Sequence, residues 1–165
     1  MRQSNPTNVT VAAAAAMRSL GQALGKALIA ADGAALVIAI QGELGAGKTT
    51  LVGGVLNAMN VAGPARSPTY TLIEPYESGS RHIYHLDLYR LSDPQEVEAL
   101  GIRDLLTHHA VLLIEWPERG AGVLPAPDLA ISIHYAQVDG VDGRMVTLSP
   151  GSERGEDLAT LLRLS

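Results

Sequence analysis

Residues 41–50 read QGELGAGKTT and follow directly on the apolar run ALVIAI at 35–40. Gly42, Gly47, Lys48 and Thr49 stand at the spacing G-x-x-x-x-G-K-T, the pattern of a loop that wraps a phosphate chain. The spacing has a mechanical reason: the chain must leave a strand, pass round the phosphates and enter a helix within a few residues. Glycines permit left-handed backbone and let amide groups approach the oxygens closely. The helix that follows points its positive end at the same anion. Lys48 then reaches the terminal phosphates, and the Thr49 hydroxyl can ligate Mg²⁺.

The flanks agree with this reading. Residues 36–40 lack polar alternation, as a strand buried on both faces does, and residues 48–59 suit a helix. Upstream, Ala13, Met17, Leu20, Leu24 and Leu28 recur at helical spacing over 12–31. Downstream, Pro64 and Pro68 mark a loop, and YTLIEPY and RHIYHLDLY flank the turn-like ESGS as a hairpin. Ser92 and Gln95 have the spacing of a capping box, with Gly101 as the stop of that helix. AVLLIEW at 110–116 reads as a second buried strand. LAISIHY and RMVTLS read as an antiparallel pair, and GEDLATLLRL as a closing helix. The fold class expected is α/β: a P-loop NTPase-type three-layer sandwich whose mostly parallel central sheet carries an added antiparallel hairpin. A single domain over 1–165 is expected, with 1–11 as a poorly ordered N-terminal tail.

Composition narrows the function classes. A net charge of −5 over 165 residues offers no basic footprint for independent nucleic-acid binding. The absence of cysteine excludes disulfides and thiolate metal sites. The alanine-rich N-terminus is interrupted by Arg18, Gln22 and Lys26, and the sequence contains no membrane-spanning apolar run, so a cytoplasmic protein is expected.

A phosphate loop alone does not hydrolyse anything; the metal and the attacking water also need carboxylates. Glu115 closes the apolar run VLLIE, where a strand end at the mouth of a parallel sheet can hold Mg²⁺ or orient water. Asp87 in HIYHLDLYR is a second candidate, which the residues alone leave open between that role and a plain strand-end acid. The hydroxyl-rich RSPTYTL at 66–72 has the look of a switch segment, but the residues alone favour an ordinary loop that feeds an edge strand. No Asn-Lys-x-Asp base reader and no Asp-x-x-Gly switch accompany the loop, which favours ATP over GTP. His82 and His85 fall on opposite faces of a strand and have no clustered partner. Ser67 and Ser149 lack a base and an orienting acid.

GELGAGKTT, SPTYTLIEPYE, HLDLYRL, GIRDLL and IEWPERG, with VLP after it, stand in this order over residues 12–149. Together they resemble the bacterial TsaE (YjeE) family, small ATPases of tRNA threonylcarbamoyladenosine biosynthesis. The resemblance implies slow ATP hydrolysis with Mg²⁺ and work alongside two partners, TsaB and TsaD. The tRNA would be met only indirectly, through that complex, and no membrane is involved. By matching motif, Gly42, Gly45, Ala46, Gly47, Lys48, Thr49 and Thr50 would cradle the phosphates. Thr49 and Glu115 would hold Mg²⁺, and Asp87 would assist the ion or the attacking water. Asp87, Glu115 and Lys48 are thus the implied catalytic set. Thr69 and Thr71 would form a switch-like element near the γ-phosphate, with Trp116 and Glu118 bordering the site. Two rival readings are a P-loop small-molecule kinase, for which Arg90, Arg103 and Arg119 are available but form no lid-like cluster, and a nucleotide-dependent interaction module with little hydrolysis. The N-terminal helix and the loop after Tyr135 are candidate neighbours of the adenine.

Overall fold

A computed structural model describes residues 5–31, 33–61, 66, 68 and 70–165. The elements run β1 (Thr7–Val11), α1 (Ala14–Ala30), β2 (Leu36–Gly42), α2 (Lys48–Ala58), β3 (Ile73–Ser78), β4 (Arg81–Asp87), α3 (Pro94–Ala99), β5 (Ala110–Glu115), β6 (Leu129–Val138), β7 (Val141–Pro150) and α4 (Glu153–Arg163). They form a seven-stranded sheet in the order β1-β7-β6-β2-β5-β4-β3. Strands β6, β2, β5 and β4 are mutually parallel, and antiparallel strands flank them on both sides. The expected α/β three-layer plan therefore holds.

Alternation along the buried strands feeds two cores. Leu36, Ile38, Val111 and Leu113 pack under α1, α2 and α4, where Leu24, Leu28, Leu51 and Leu158 meet them. Val37, Leu112 and Ile114 face the other way, towards Val97 of α3 and Ile102. The strands are apolar on both faces because helical structure covers both. Among the described residues no helix is long and apolar enough to cross a membrane.

Three local features differ from the sequence reading. Residues 7–11 are not a tail: Thr7–Val11 pairs with β7, burying Val11 while Asn8 and Thr10 stay exposed. The β6–β7 hairpin extends beyond the expected pair, to ten residues in each strand. Asp139 and Gly140, at φ 51° and 80°, make the tight turn between them, since paired positive φ matches the twist of the strands. The capping box lies one residue later than expected: Asp93 accepts from the Gln95 amide at 2.9 Å, and Glu96 returns to the Asp93 amide at 3.1 Å. Pro94 explains the shift. It suits the first helical position and holds the residue before it extended, as a cap must be.

Helices α1 and α2 meet backbone to backbone. A Cβ on Gly21 would stand 2.1 Å from the Leu51 carbonyl oxygen, and one on Gly54 would stand 2.2 Å from that of Arg18. This contact fixes the helix that carries Lys48 and Thr49 against the rest of the layer. Gly54→Ala is expected to destabilise the protein by about 2–3 kcal/mol, despite alanine's better helix propensity, because the helices must part. The midpoint of urea unfolding measures it.

Candidate functional site: the phosphate loop and two carboxylates

The site lies at the C-terminal ends of β2, β5 and β4. Strand β2 ends at Gly42, and α2 begins at Lys48 behind its N-cap Gly47. Gly45 and Gly47 take φ of 77° and 113°, backbone that L side chains rarely adopt, so these two positions require glycine. The first-turn amides of α2 have no carbonyl behind them within the helix and are available to an anion. Ala46 is buried under the loop, Thr50 is half-buried and Thr49 is exposed.

Parallel register brings the acids together. Asp87 pairs with Glu115 across β4 and β5, and Glu115 pairs with Ile40 across β5 and β2, so the two carboxylates share one face beside the loop. Glu115 is 2 % exposed and accepts from the Thr49 hydroxyl at 3.2 Å. Its other oxygen lies 2.6 Å from His85 Nε2, and His85 is wholly buried. A carboxylate only accepts, so the ring nitrogen facing it carries the proton. Asp87 Oδ1 accepts from the Tyr89 amide at 3.0 Å.

Lys48 is buried and folded back into its own loop. Nζ donates to the carbonyls of Gly42 at 2.6 Å and Glu43 at 2.9 Å and lies 4.3 Å over the Trp116 ring. Burial lowers its pKa, while the carboxylates of Glu115, Asp87 and Glu118 pull the other way. Trp116 therefore borders the site as the resemblance implied, and the Glu118 charge reaches Lys48. Trp116 holds a left-handed backbone at φ 57°, with its ring 4.9 Å from that of Tyr89.

The segment 66–72 is joined to the site at its end. The Leu72 carbonyl accepts from the Asp87 amide at 3.0 Å, and Leu72 itself has φ 64°. The Thr71 hydroxyl turns to Glu74 at 3.4 Å, not to the loop. Arg90 stacks 4.5 Å over the exposed Tyr70 ring. Thr69 lies outside the described residues.

Three residues that sequence reasoning passed over belong to this neighbourhood. His85 orients Glu115. Tyr135 and Arg144, opposite each other on β6 and β7, touch the back of the phosphate loop: the Tyr135 hydroxyl donates to the Leu44 carbonyl at 2.8 Å, and Arg144 Nε to that of Ala46 at 2.9 Å.

Thr49, Glu115 and Asp87 present hard oxygens, which suit Mg²⁺. Among the described residues no cluster of three or more His, Cys, Asp or Glu could hold a metal alone. A few oxygen donors of this kind would suit Mg²⁺, which usually keeps water and phosphate oxygens among its ligands.

Burial raises the Asp87 pKa, and the Glu115 charge adds to the shift against the Tyr89 amide, His85 and Lys48. Between the ordinary value of 3.8 and the raised one, the folded protein keeps a proton that the unfolded chain has lost. Stability therefore falls as pH rises through that window, and the penalty is complete above it. Asp87→Asn should accordingly raise the Tm of the ligand-free protein at pH 7, by about 2–4 °C per kcal/mol relieved. The gain should shrink as pH approaches 3.8 in calorimetric scans.

The family model described as "Threonylcarbamoyl adenosine biosynthesis protein TsaE" matches residues 11–145. The chain belongs to the TsaE family. The TsaE protein of Haemophilus influenzae is 43 % identical over 124 residues, covering 75 % of this chain and 76 % of that one. Those of Bacillus subtilis and Mycobacterium tuberculosis are each 36 % identical, over 122 and 141 residues; the matches cover 74 % of both chains in the first case, and 81 % of this chain and 80 % of the relative in the second. Each of these relatives is named a tRNA threonylcarbamoyladenosine biosynthesis protein. The crystal structure of Bacillus subtilis YdiB has the same fold, with a TM-score of 0.73 at 21 % identity over 97 % of this TsaE-family chain and 95 % of that one.

Proposed function

We propose that this TsaE-family chain is a Mg²⁺-dependent ATPase that supports repeated turnover of tRNA threonylcarbamoyladenosine synthesis with TsaB and TsaD. The observation that carries this reading is the contact of Thr49 with Glu115, 3.2 Å apart, beside a P-loop whose lysine lies within the field of three carboxylates.

ATP would enter with its phosphates along Gly42–Thr50. Lys48 would leave the carbonyls of Gly42 and Glu43 for the β- and γ-phosphates, whose charge restores its preference for the protonated form. Thr49 and Glu115 would hold Mg²⁺, which when bound neutralises charge spread over the β- and γ-oxygens. His85 keeps the Glu115 carboxylate turned towards Thr49. Asp87, whose raised pKa suits a proton acceptor, would orient water in line with the γ-phosphorus. The water oxygen bonds to that phosphorus as the bridge to the β-phosphate breaks, and the water's proton passes to Asp87. Beside the loop, a pocket of about 380 Å³ between Val11–Ala14 and Asp142–Arg144 would take the base.

The kinase reading finds less support. Arg90 lies over Tyr70, Arg103 donates to the Val123 carbonyl at 3.3 Å and Arg119 to that of Leu91 at 3.5 Å, so the three do not gather into a phosphate lid. The net charge of −5 supports indirect tRNA contact through partners: the isolated protein is expected to bind MgATP but little tRNA. Deleting the gene and analysing tRNA nucleosides tests the reading. Loss of threonylcarbamoyladenosine is expected, and its persistence with no redundant ATPase present contradicts it.

A further inference from the structure

A glycine-rich loop binds phosphate only if its peptides face the right way, and glycine makes the wrong way inexpensive. The phosphate loop meets this difficulty at Gly45 and Gly47, the two left-handed residues, where peptide flips meet little steric resistance. The outer side of the same turn is gripped from a remote part of the chain. The Tyr135 hydroxyl donates to the Leu44 carbonyl at 2.8 Å. Arg144 donates through Nε to Ala46 at 2.9 Å and through a terminal nitrogen to Gly45 at 3.2 Å. Three successive carbonyls are thereby held by two side chains.

Those two side chains also hold each other. Tyr135 and Arg144 are directly opposed on β6 and β7, and the guanidinium lies 4.2 Å over the Tyr135 ring. A further bond, from Arg144 to the Gly143 carbonyl at 3.0 Å, ties the guanidinium to its own strand. The pair therefore arrives at the loop with few rotamers left to lose.

We infer that Tyr135 and Arg144 are positioning residues for polyphosphate: they brace the loop so that its amides face the bound phosphates. In a planar trans peptide the N–H points opposite to the C=O. Holding the Leu44 and Ala46 carbonyls towards the hairpin therefore turns the amides of Gly45 and Gly47 away from it. The intervening Ala46 amide is already bonded to Glu43 at 3.0 Å, so of these three Gly45 and Gly47 are left to join the first-turn amides of α2 on an anion. The inference rests on the P-loop being a phosphate site.

The test compares Mg²⁺ with inorganic triphosphate and Mg²⁺ with ATP, measured by calorimetry on the full chain. Tyr135→Phe removes one hydroxyl from a half-exposed ring and leaves the fold alone; Arg144→Met removes the donors and keeps the stem. Tyr135→Phe is expected to weaken both ligands by about fivefold, and Arg144→Met by about ten- to thirtyfold. The loss should be equal for ATP and triphosphate, with the Tm of Tyr135→Phe unchanged. The double variant should lose less than the product of the two, since both residues hold one turn. Wild-type affinity in both variants overturns the brace alone. A loss confined to ATP also overturns it, because it places Arg144 against the base in the adjoining pocket. Failure of the wild type to bind either ligand, with Lys48→Ala making no difference, overturns the phosphate-site reading and the brace with it.

Discussion

Glu115→Gln is expected to bind MgATP with near-normal affinity and to release phosphate about 10²–10³-fold more slowly. The amide has the shape of the carboxylate and keeps one acceptor: its oxygen can take the His85 bond, 2.6 Å in the wild type, while its NH2 faces the Thr49 hydroxyl, 3.2 Å away, which can accept from it. What it lacks is the negative charge. In the proposed mechanism that charge would hold the ion against Thr49, and it acts on both Asp87 and Lys48. Because Glu115 is 2 % exposed, no solvent ion can take its place. Binding and single-turnover phosphate release, measured separately, show the split. Equal losses in both would mean that Glu115 serves nucleotide affinity and not the chemical step.

Lys48→Ala acts earlier, at binding. The lysine's resting partners are two carbonyls of its own loop, at 2.6 and 2.9 Å, and it is held near Glu115, Asp87 and Glu118. Removing it deletes the one side-chain cation expected on the β- and γ-phosphates and leaves those acids to repel them. ATP affinity should fall about 10²-fold or more, since a charge-assisted contact is lost and a repulsion is uncovered. The ligand-free protein should lose little stability, because burial already disfavours the lysine's charge. Calorimetric titration with MgATP and a thermal scan without it check the two halves.

The loop was readable in the sequence because its chemistry is local: a strand, three glycines, a lysine and a threonine within ten residues. Glu115 was nearly as plain, ending an apolar run. Its company was not. His85 was compared with His82, three residues away on the opposite face, whereas the informative neighbour was Asp87, two residues on and therefore on the same face of β4. That period-two relation was available in HLD, but its meaning depended on which strand lay alongside, and pairing β4 with β5 is a non-local fact.

The same reason hid the brace. Counting back from the Asp139–Gly140 turn pairs residue 135 with 144, so the register was implicit in a tight-turn signal that went unread. That this pair then reaches over to Leu44 and Ala46 follows from β6 lying beside β2, which local patterning does not show. Strand β1 was mistaken for a tail although Val9 and Val11 alternate with Asn8 and Thr10; five residues against an edge give a weak signal. Thr71, placed near the γ-phosphate by resemblance, has its hydroxyl on Glu74 at 3.4 Å in the ligand-free chain.

In the proposed function, hydrolysis at this P-loop, and not nucleotide binding alone, sustains tRNA modification. The direct measurement is the number of threonylcarbamoyladenosines formed per complex when the chain is combined with TsaB, TsaD, the threonylcarbamoyl adenylate and substrate tRNA. The wild-type chain should drive many turnovers, while Glu115→Gln, with ATP bound, should stall near the first. Sustained turnover by Glu115→Gln at the wild-type rate would contradict the account.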